Sequence, residues 1–152
     1  MSAPAITVAP PAGDSEAFDE RLLALLDDHA DEAGHEFEPE PLVLEARIDG
    51  AFAGGLSGRM LYGVLLVRYL AAAPGARHQG VGSTLIARAE DWARARGAHL
   101  AYLDTFGFQA AGFYRRLGYV EIARAAGDRP ERDRIYLAKA LTPPRAASGD
   151  QP

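Results

Sequence analysis

Residues 77–83 combine a permanent cation with two glycines directly before an amphipathic helical pattern, a combination suited to binding phosphate. The first turn of a helix carries backbone N–H groups without intrahelical acceptors, and the helix dipole adds partial positive charge there. Gly80 and Gly82 have no Cβ atom to keep an anion from those N–H groups, and Arg77 adds a guanidinium. The alternative is that a strand-to-helix loop simply needs glycines in order to turn.

Three further side chains could carry chemistry. Tyr114 lies on a predicted short helix, and its phenol is protonated near neutral pH, so it could donate a proton. The alternative is a packing aromatic whose hydroxyl reaches water. Glu45 and Asp104 lie in predicted strands and are the carboxylates best placed to act as a base, directly or through water. The alternative for both is an ordinary hydrogen-bonded or surface carboxylate.

The composition excludes several other kinds of chemistry. Because the chain has no cysteine, it has no disulfide, no thiolate nucleophile and no cysteine-ligated zinc. The four histidines lack the i, i+4 spacing of a helical metal pair, so we expect no metal site. A formal net charge of −5 argues against a nucleic-acid partner and suits a cationic or amine substrate better.

The length of 152 residues predicts one domain. We expect it to occupy residues 1–141, with a loosely held segment at residues 1–13 and a disordered tail at residues 142–152. No apolar stretch is long enough to span a bilayer, and no basic residue precedes the apolar start of the chain. We therefore expect an unexported, cytoplasmic protein with no membrane partner.

The elements that must position these side chains follow from periodicity and turn signals. Asp14 and Ser15 are candidate caps for a helix that extends to about residue 33. Asp49-Gly50 predicts a hairpin. The apolar run at residues 61–73 predicts a central strand, and the helix after it makes the next strand parallel. The predicted strands are residues 6–8 at an edge, 42–48, 51–56, 61–73, 99–105, 119–123 and 135–141, and the later helices are residues 83–96 and 108–117.

The order of these elements and their motif residues resemble the GNAT superfamily of acetyl-coenzyme A-dependent N-acetyltransferases. Residues 77–82 fit the family's Arg/Gln-x-x-Gly-x-Gly/Ala pyrophosphate loop. Residues 104–110, followed by Phe113-Tyr114 and by residues 117–119, resemble small bacterial members. His78 departs from the glycine that is common at its position, although the motif leaves that position open.

The resemblance implies an α/β (α+β) fold with a mixed, mostly antiparallel sheet of six to seven strands. Helices would cover both faces, and the sheet would splay at its central parallel strand pair. The resemblance also implies acetyl-CoA as co-substrate, with its pantetheine arm on the strand before the loop and its pyrophosphate on the loop. The implied coenzyme contacts are Leu70, Ala71, Ala72, Arg77, His78, Gln79, Gly80, Val81, Gly82 and Ser83.

The activity implied by the resemblance is N-acetyl transfer to a primary amine of a small molecule or protein. The amine would attack the thioester directly while both substrates are bound, so that proximity supplies much of the rate. Tyr114 would protonate the departing thiolate, and Glu45 or Asp104 would act as the base through water. Competing hypotheses are a non-catalytic module that senses acyl-CoA and an interaction domain without a ligand. The residues identify neither the acceptor amine nor the oligomeric state, so a homodimer stays open.

Overall fold

A computed structural model describes residues 2–142, which divide into two compact units at the boundary between Glu38 and Pro39. The first unit contains α1 (Ser15–Glu32), which begins after Asp14, whose side chain accepts a 2.8 Å hydrogen bond from the N–H of Ala17. This helix was predicted.

The predicted edge strand at residues 6–8 is wrong, because residues 2–13 form no strand. Prolines on both sides of that segment have no N–H to donate to a neighbouring strand. The predicted tail lies outside the described residues, except for Thr142.

The second unit is a six-stranded mixed sheet with two helices, so the predicted fold class is confirmed. Its strand order is β1-β2-β3-β4-β6-β5, and only β3 and β4 pair in parallel among the described strands. The strands are β1 (Glu40–Ile48), β2 (Ala51–Leu61), β3 (Val64–Ala72), β4 (Leu100–Phe106), β5 (Val120–Ala125) and β6 (Arg134–Ala140), and the helices are α2 (Val81–Arg94) and α3 (Ala111–Arg116).

Two tight turns set the boundaries of the first three strands. Asp49 and Gly50 have φ values of 49° and 80°, which gives the predicted two-residue hairpin turn between β1 and β2. Tyr62 and Gly63, with φ values of 51° and 77°, make a second such turn. The prediction of one strand over residues 61–73 is therefore wrong at its start, because Leu61 ends β2 and β3 begins after the turn.

The central parallel pair opens into a gap. The ladder between β3 and β4 joins only three residue pairs, from Val64↔Leu100 to Leu66↔Tyr102, although both strands continue beyond it. Just past this ladder, Arg68 is an extra residue in β3 opposite the junction of Ser57 and Gly58, which is a β-bulge. Because a bulge bends its strand, β3 turns away from β4, and the predicted splay is confirmed.

The predicted apolar face of α2 is buried against the first three strands, and the core continues through Leu103 of β4 and Leu137 of β6. One charged group is buried with it. Glu90 of α2 is 4% exposed and accepts hydrogen bonds from Lys139 Nζ of β6 at 2.8 Å and from the Tyr119 hydroxyl at 3.4 Å. This cluster connects α2 to the distal half of the sheet, and loss of one partner would leave a buried charge unpaired.

Within residues 2–142, no helix is long and apolar enough to cross a membrane. Across the same residues, no group of three or more His, Asp or Glu side chains is arranged to hold a metal ion.

Candidate active site

The glycine loop joins β3 to α2 and leaves the first turn of that helix open. Residues Pro74–Ala76 form a single 3₁₀ turn, and α2 begins at Val81 after Gly80. No side chain caps the first-turn N–H groups of α2. Ser83 instead donates its hydroxyl backwards to the carbonyl of Gly80 at 3.1 Å. The helix start therefore presents N–H donors and the positive end of the dipole, as an anion site requires.

Two residues of the loop have left-handed backbone angles. Gly80 has a φ of 78°, which favours glycine at this position. Lack of space is not the reason, because an added Cβ would meet nothing closer than Ser83 Oγ at 3.8 Å. His78 has a φ of 64°. That conformation is unfavourable for a residue with a Cβ, and it accounts for the glycine that is common here in proteins with this loop.

Replacing His78 with glycine is expected to leave the stability of the fold nearly unchanged. The substitution relieves left-handed strain of roughly 1 kcal/mol, and the larger unfolded-state entropy of glycine offsets most of that gain. We expect the free energy of unfolding in denaturant titrations to stay within about 1 kcal/mol of that of the parent. A loss of about 2 kcal/mol or more would mean that the imidazole makes stabilising contacts in the folded loop.

A cavity of about 390 Å³ lies beside this loop. Its wall contains all the predicted coenzyme contacts except Gln79, whose side-chain amide donates to the Gly75 carbonyl at 3.0 Å and so fixes the turn. Gly82 has a second role, because a Cβ there would lie 3.0 Å from the Phe113 ring of α3. The absence of a Cβ at Gly82 lets α3 pack against the first turn of α2. The cavity also includes the cation of Arg116, which was not predicted from the sequence.

Tyr114 is held in a cluster of aromatic rings at the far side of this cavity. Its ring lies 5.1 Å from that of Phe113 and 5.9 Å from that of Tyr119, both edge-to-face. The residue is 8% exposed, and burial raises its pKa to about 12. The phenol is therefore a protonated donor at any physiological pH, which fits the role of an acid.

The raised pKa of Tyr114 predicts a loss of stability in alkali. Folding favours the neutral phenol, so its contribution is complete below the unfolded pKa of about 10 and is lost as pH rises towards 12. We expect the free energy of unfolding to fall by roughly 1 kcal/mol between pH 10 and pH 11 on account of this group. Burial and Glu90 raise the pKa of Tyr119 in the same direction. Denaturant titrations at pH 10 and pH 11 should therefore show a smaller fall in the free energy of unfolding for Tyr114→Phe than for the parent. An equal fall would contradict the prediction.

A second cavity, of about 460 Å³, fills the gap where β3 and β4 separate. It shares Leu70, Ala71, Ala110 and Tyr114 with the loop cavity, so Tyr114 borders both spaces. Asp104 lines this second cavity, and its carboxylate lies 3.3 Å from Nε of Arg134. The structure thus brings Tyr114 and Asp104 to one cavity.

Glu45 lies elsewhere. It lines a third, mostly apolar cavity of about 420 Å³, together with Tyr69 and Ala71. Its carboxylate forms a close ion pair with Arg47 of the same strand, and both side chains are about half exposed. Neither the loop cavity nor the β3–β4 cavity includes Glu45, although Ala71 lines all three cavities.

Several polar residues of the β3–β4 cavity were not singled out in the sequence. Thr105 is buried and donates its hydroxyl to the Gln109 side-chain oxygen at 3.1 Å, which also accepts the Phe106 N–H at 3.1 Å. These bonds fix the end of β4 beside α3. Arg68 and Arg134 line the cavity as well. Of these residues, only Arg68 could have been identified from the sequence as a candidate site residue, because it is a lone charge in an apolar run.

Residues 9–119 match the sequence profile of a family described as "Acetyltransferase (GNAT) family". A relative, blasticidin-S acetyltransferase of Streptomyces morookaense, is 45% identical over 82 residues, which cover 53% of this chain and 60% of the relative. The chain thus spans about three fifths of the length of that relative.

Two solved structures share the fold. A crystal structure from Agrobacterium tumefaciens, assigned as an acetyltransferase, has a TM-score of 0.76 at 29% identity and covers 90% of this chain and 99% of its own. A Bacillus anthracis protein, assigned as a streptothricin acetyltransferase and solved with acetyl coenzyme A, has a TM-score of 0.61 at 20% identity. That match covers 68% of this chain and 64% of the other.

Proposed function

The chain belongs to the GNAT family of acetyltransferases, and we propose that it transfers the acetyl group of acetyl-CoA to a primary amine while both are bound. The proposal rests on one observation. The cavity at the start of α2 and the cavity between β3 and β4 meet at Ala71 and Tyr114, so a coenzyme and an acceptor can approach each other beside one buried phenol. The family match covers residues 9–119 and so crosses the boundary at Glu38, which supports the proposal of a single acetyltransferase domain, with the predicted bounds 1–141.

Coenzyme A would occupy the loop cavity. The open N–H groups of Val81, Gly82 and Ser83 suit the pyrophosphate, and Arg77 and Arg116 add positive charge at the same wall. The arm would run along Leu70–Ala72, on the side of β3 that has lost its pairing to β4. Backbone groups freed by the splay could then hydrogen-bond to the amides of the arm, as a neighbouring strand would.

The chemistry needs one bond made and one broken. The neutral amine nitrogen attacks the thioester carbonyl carbon, the carbon–sulfur bond breaks, and Tyr114 supplies the proton that turns the thiolate into a thiol. The amine must lose a proton in turn. Asp104 is better placed than Glu45 to take it through water, because it shares the β3–β4 cavity with Tyr114. Arg134 holds this carboxylate at the cavity wall, with its Nε 3.3 Å from the carboxylate oxygen.

The test is acetyl-CoA turnover with a broad panel of amines, including blasticidin S because of the relative that acts on it. Release of free thiol that depends on the amine, with the acetylated product seen by mass spectrometry, is the expected result. A thermal shift with acetyl-CoA but no thiol release with any amine would favour a non-catalytic acyl-CoA sensor. If acetyl-CoA produced no shift at all, both hypotheses would fail.

A further inference from the structure

We propose that the β3–β4 cavity selects acceptors that carry a carboxylate near the reacting amine, and that Arg68 binds this carboxylate. The inference rests on the proposed function and concerns its unknown acceptor. The whole chain is acidic, with a formal charge of −5, which would suit a cationic substrate. The β3–β4 cavity differs, because its charged lining consists of Arg68, Arg134 and Asp104, a net charge of +1.

The two arginines of the cavity have different partners. Arg134 lies 3.3 Å from the Asp104 carboxylate, and its guanidinium carbon lies 5.0 Å from the centre of the Phe106 ring. Its charge is therefore largely compensated by the protein. Arg134 therefore has less free charge to offer a ligand than an arginine without a carboxylate partner has.

Arg68 has no such partner. Its guanidinium carbon lies 5.5 Å from the centre of the Tyr69 ring, and within residues 2–142 no carboxylate oxygen lies within 4.0 Å of its nitrogens. A guanidinium prefers a carboxylate, to which it can donate two parallel hydrogen bonds. A free guanidinium on the wall of a cavity is thus a specific donor for that group.

The position of Arg68 relates the carboxylate to the reaction. Arg68 is the extra residue of the bulge, at the point where β3 leaves β4, and Ala71 and Tyr114 line the same cavity farther along. A carboxylate held at Arg68 places the rest of the acceptor along the cavity towards Tyr114. A second cationic group on the acceptor would meet the same guanidinium and be repelled, so the cavity discriminates against simple diamines.

The experiment compares matched acceptors. Candidates are L-phenylalanine with phenethylamine, L-lysine with cadaverine, and each further carboxylate-bearing acceptor from the broad panel with its own amide. We expect kcat/KM to be at least about tenfold higher for the compounds with a carboxylate, because the paired hydrogen bonds between a guanidinium and a carboxylate are among the stronger hydrogen bonds in proteins. In Arg68→Gln this ratio should fall to near one, and Arg68→Lys should restore part of it.

The matched control is Arg88→Gln, which removes another exposed arginine that lies on α2 outside the three cavities. It should leave the ratio unchanged, and all variants should keep the thermal shift with acetyl-CoA. Three results would each overturn the inference while the proposed function stands. They are equal kcat/KM for the compounds with and without the carboxylate, acetylation of carboxylate-free amines only, and a ratio of the two kcat/KM values that is unchanged in Arg68→Gln. Failure to acetylate any amine would instead overturn the proposed function, and the inference with it.

Discussion

Replacing Tyr114 with phenylalanine is expected to lower kcat by about 100-fold or more, with little change in the KM for acetyl-CoA. The substitution removes only the hydroxyl and keeps the ring contacts with Phe113 and Tyr119, so the cavity retains its shape. Without the phenol, the thiolate must leave unprotonated or take a proton from water. The loss should appear in single-turnover experiments, where chemistry rather than product release sets the rate.

Tyr102→Phe is the control for this substitution. Tyr102 is a partly buried residue of β4, and it lines a small cavity at the paired end of β3 and β4, away from the splay. Loss of the Tyr102 hydroxyl should change kcat by less than about twofold. If Tyr114→Phe transferred the acetyl group as fast as the parent under these conditions, the acid role would be wrong, and Tyr114 would only pack.

Replacing Gly58 with alanine is expected to destabilise the fold severely. A Cβ at this position would overlap the carbonyl oxygen of Leu66, and because that atom is backbone, the two strands must move apart. The contact lies beside the bulge at Arg68, so the strain acts where the splay begins. We expect a loss of about 3 kcal/mol or more and a fall in Tm on the order of 10 °C in thermal unfolding.

Gly75→Ala provides the matched comparison. A Cβ on Gly75 would meet nothing within 4 Å, and its φ is not in the left-handed region, so its Tm should stay within about 2 °C of the parent. A Gly58→Ala protein as stable as Gly75→Ala would contradict the close approach of β2 and β3 at the bulge.

Local signals in the sequence were enough to predict much of the fold. The hairpin at Asp49-Gly50, the cap at Asp14 and the apolar face of α2 each depend on neighbouring residues, and each is confirmed. The start of β3 was not predicted, because Tyr62-Gly63 lies within a continuous apolar run and tyrosine is not a usual turn residue. The bulge at Arg68 also left no signal, since it depends on the register between two strands.

The candidate site divides in the same way. The loop could be predicted because Arg77, Gly80 and Gly82 are close in sequence and act through the local backbone. Three features depend on how segments distant in the sequence pack: Tyr114 and Asp104 line one cavity, Glu45 lines another, and Arg68 has no carboxylate partner within residues 2–142. Side-chain charges can be counted in a sequence, but their compensation by a partner cannot.

The short ladder between β3 and β4 divides the sheet into two halves, β1-β2-β3 and β4-β6-β5. Three residue pairs join these halves within the sheet. The hydrogen bond from Lys139 of β6 to Glu90 of α2 connects the second half to the helix that packs on the first. A ligand bound in the gap, as proposed above, would contact both halves of the sheet. Because such a ligand would bind the folded protein and not the unfolded chain, the free energy of unfolding would rise with the ligand concentration.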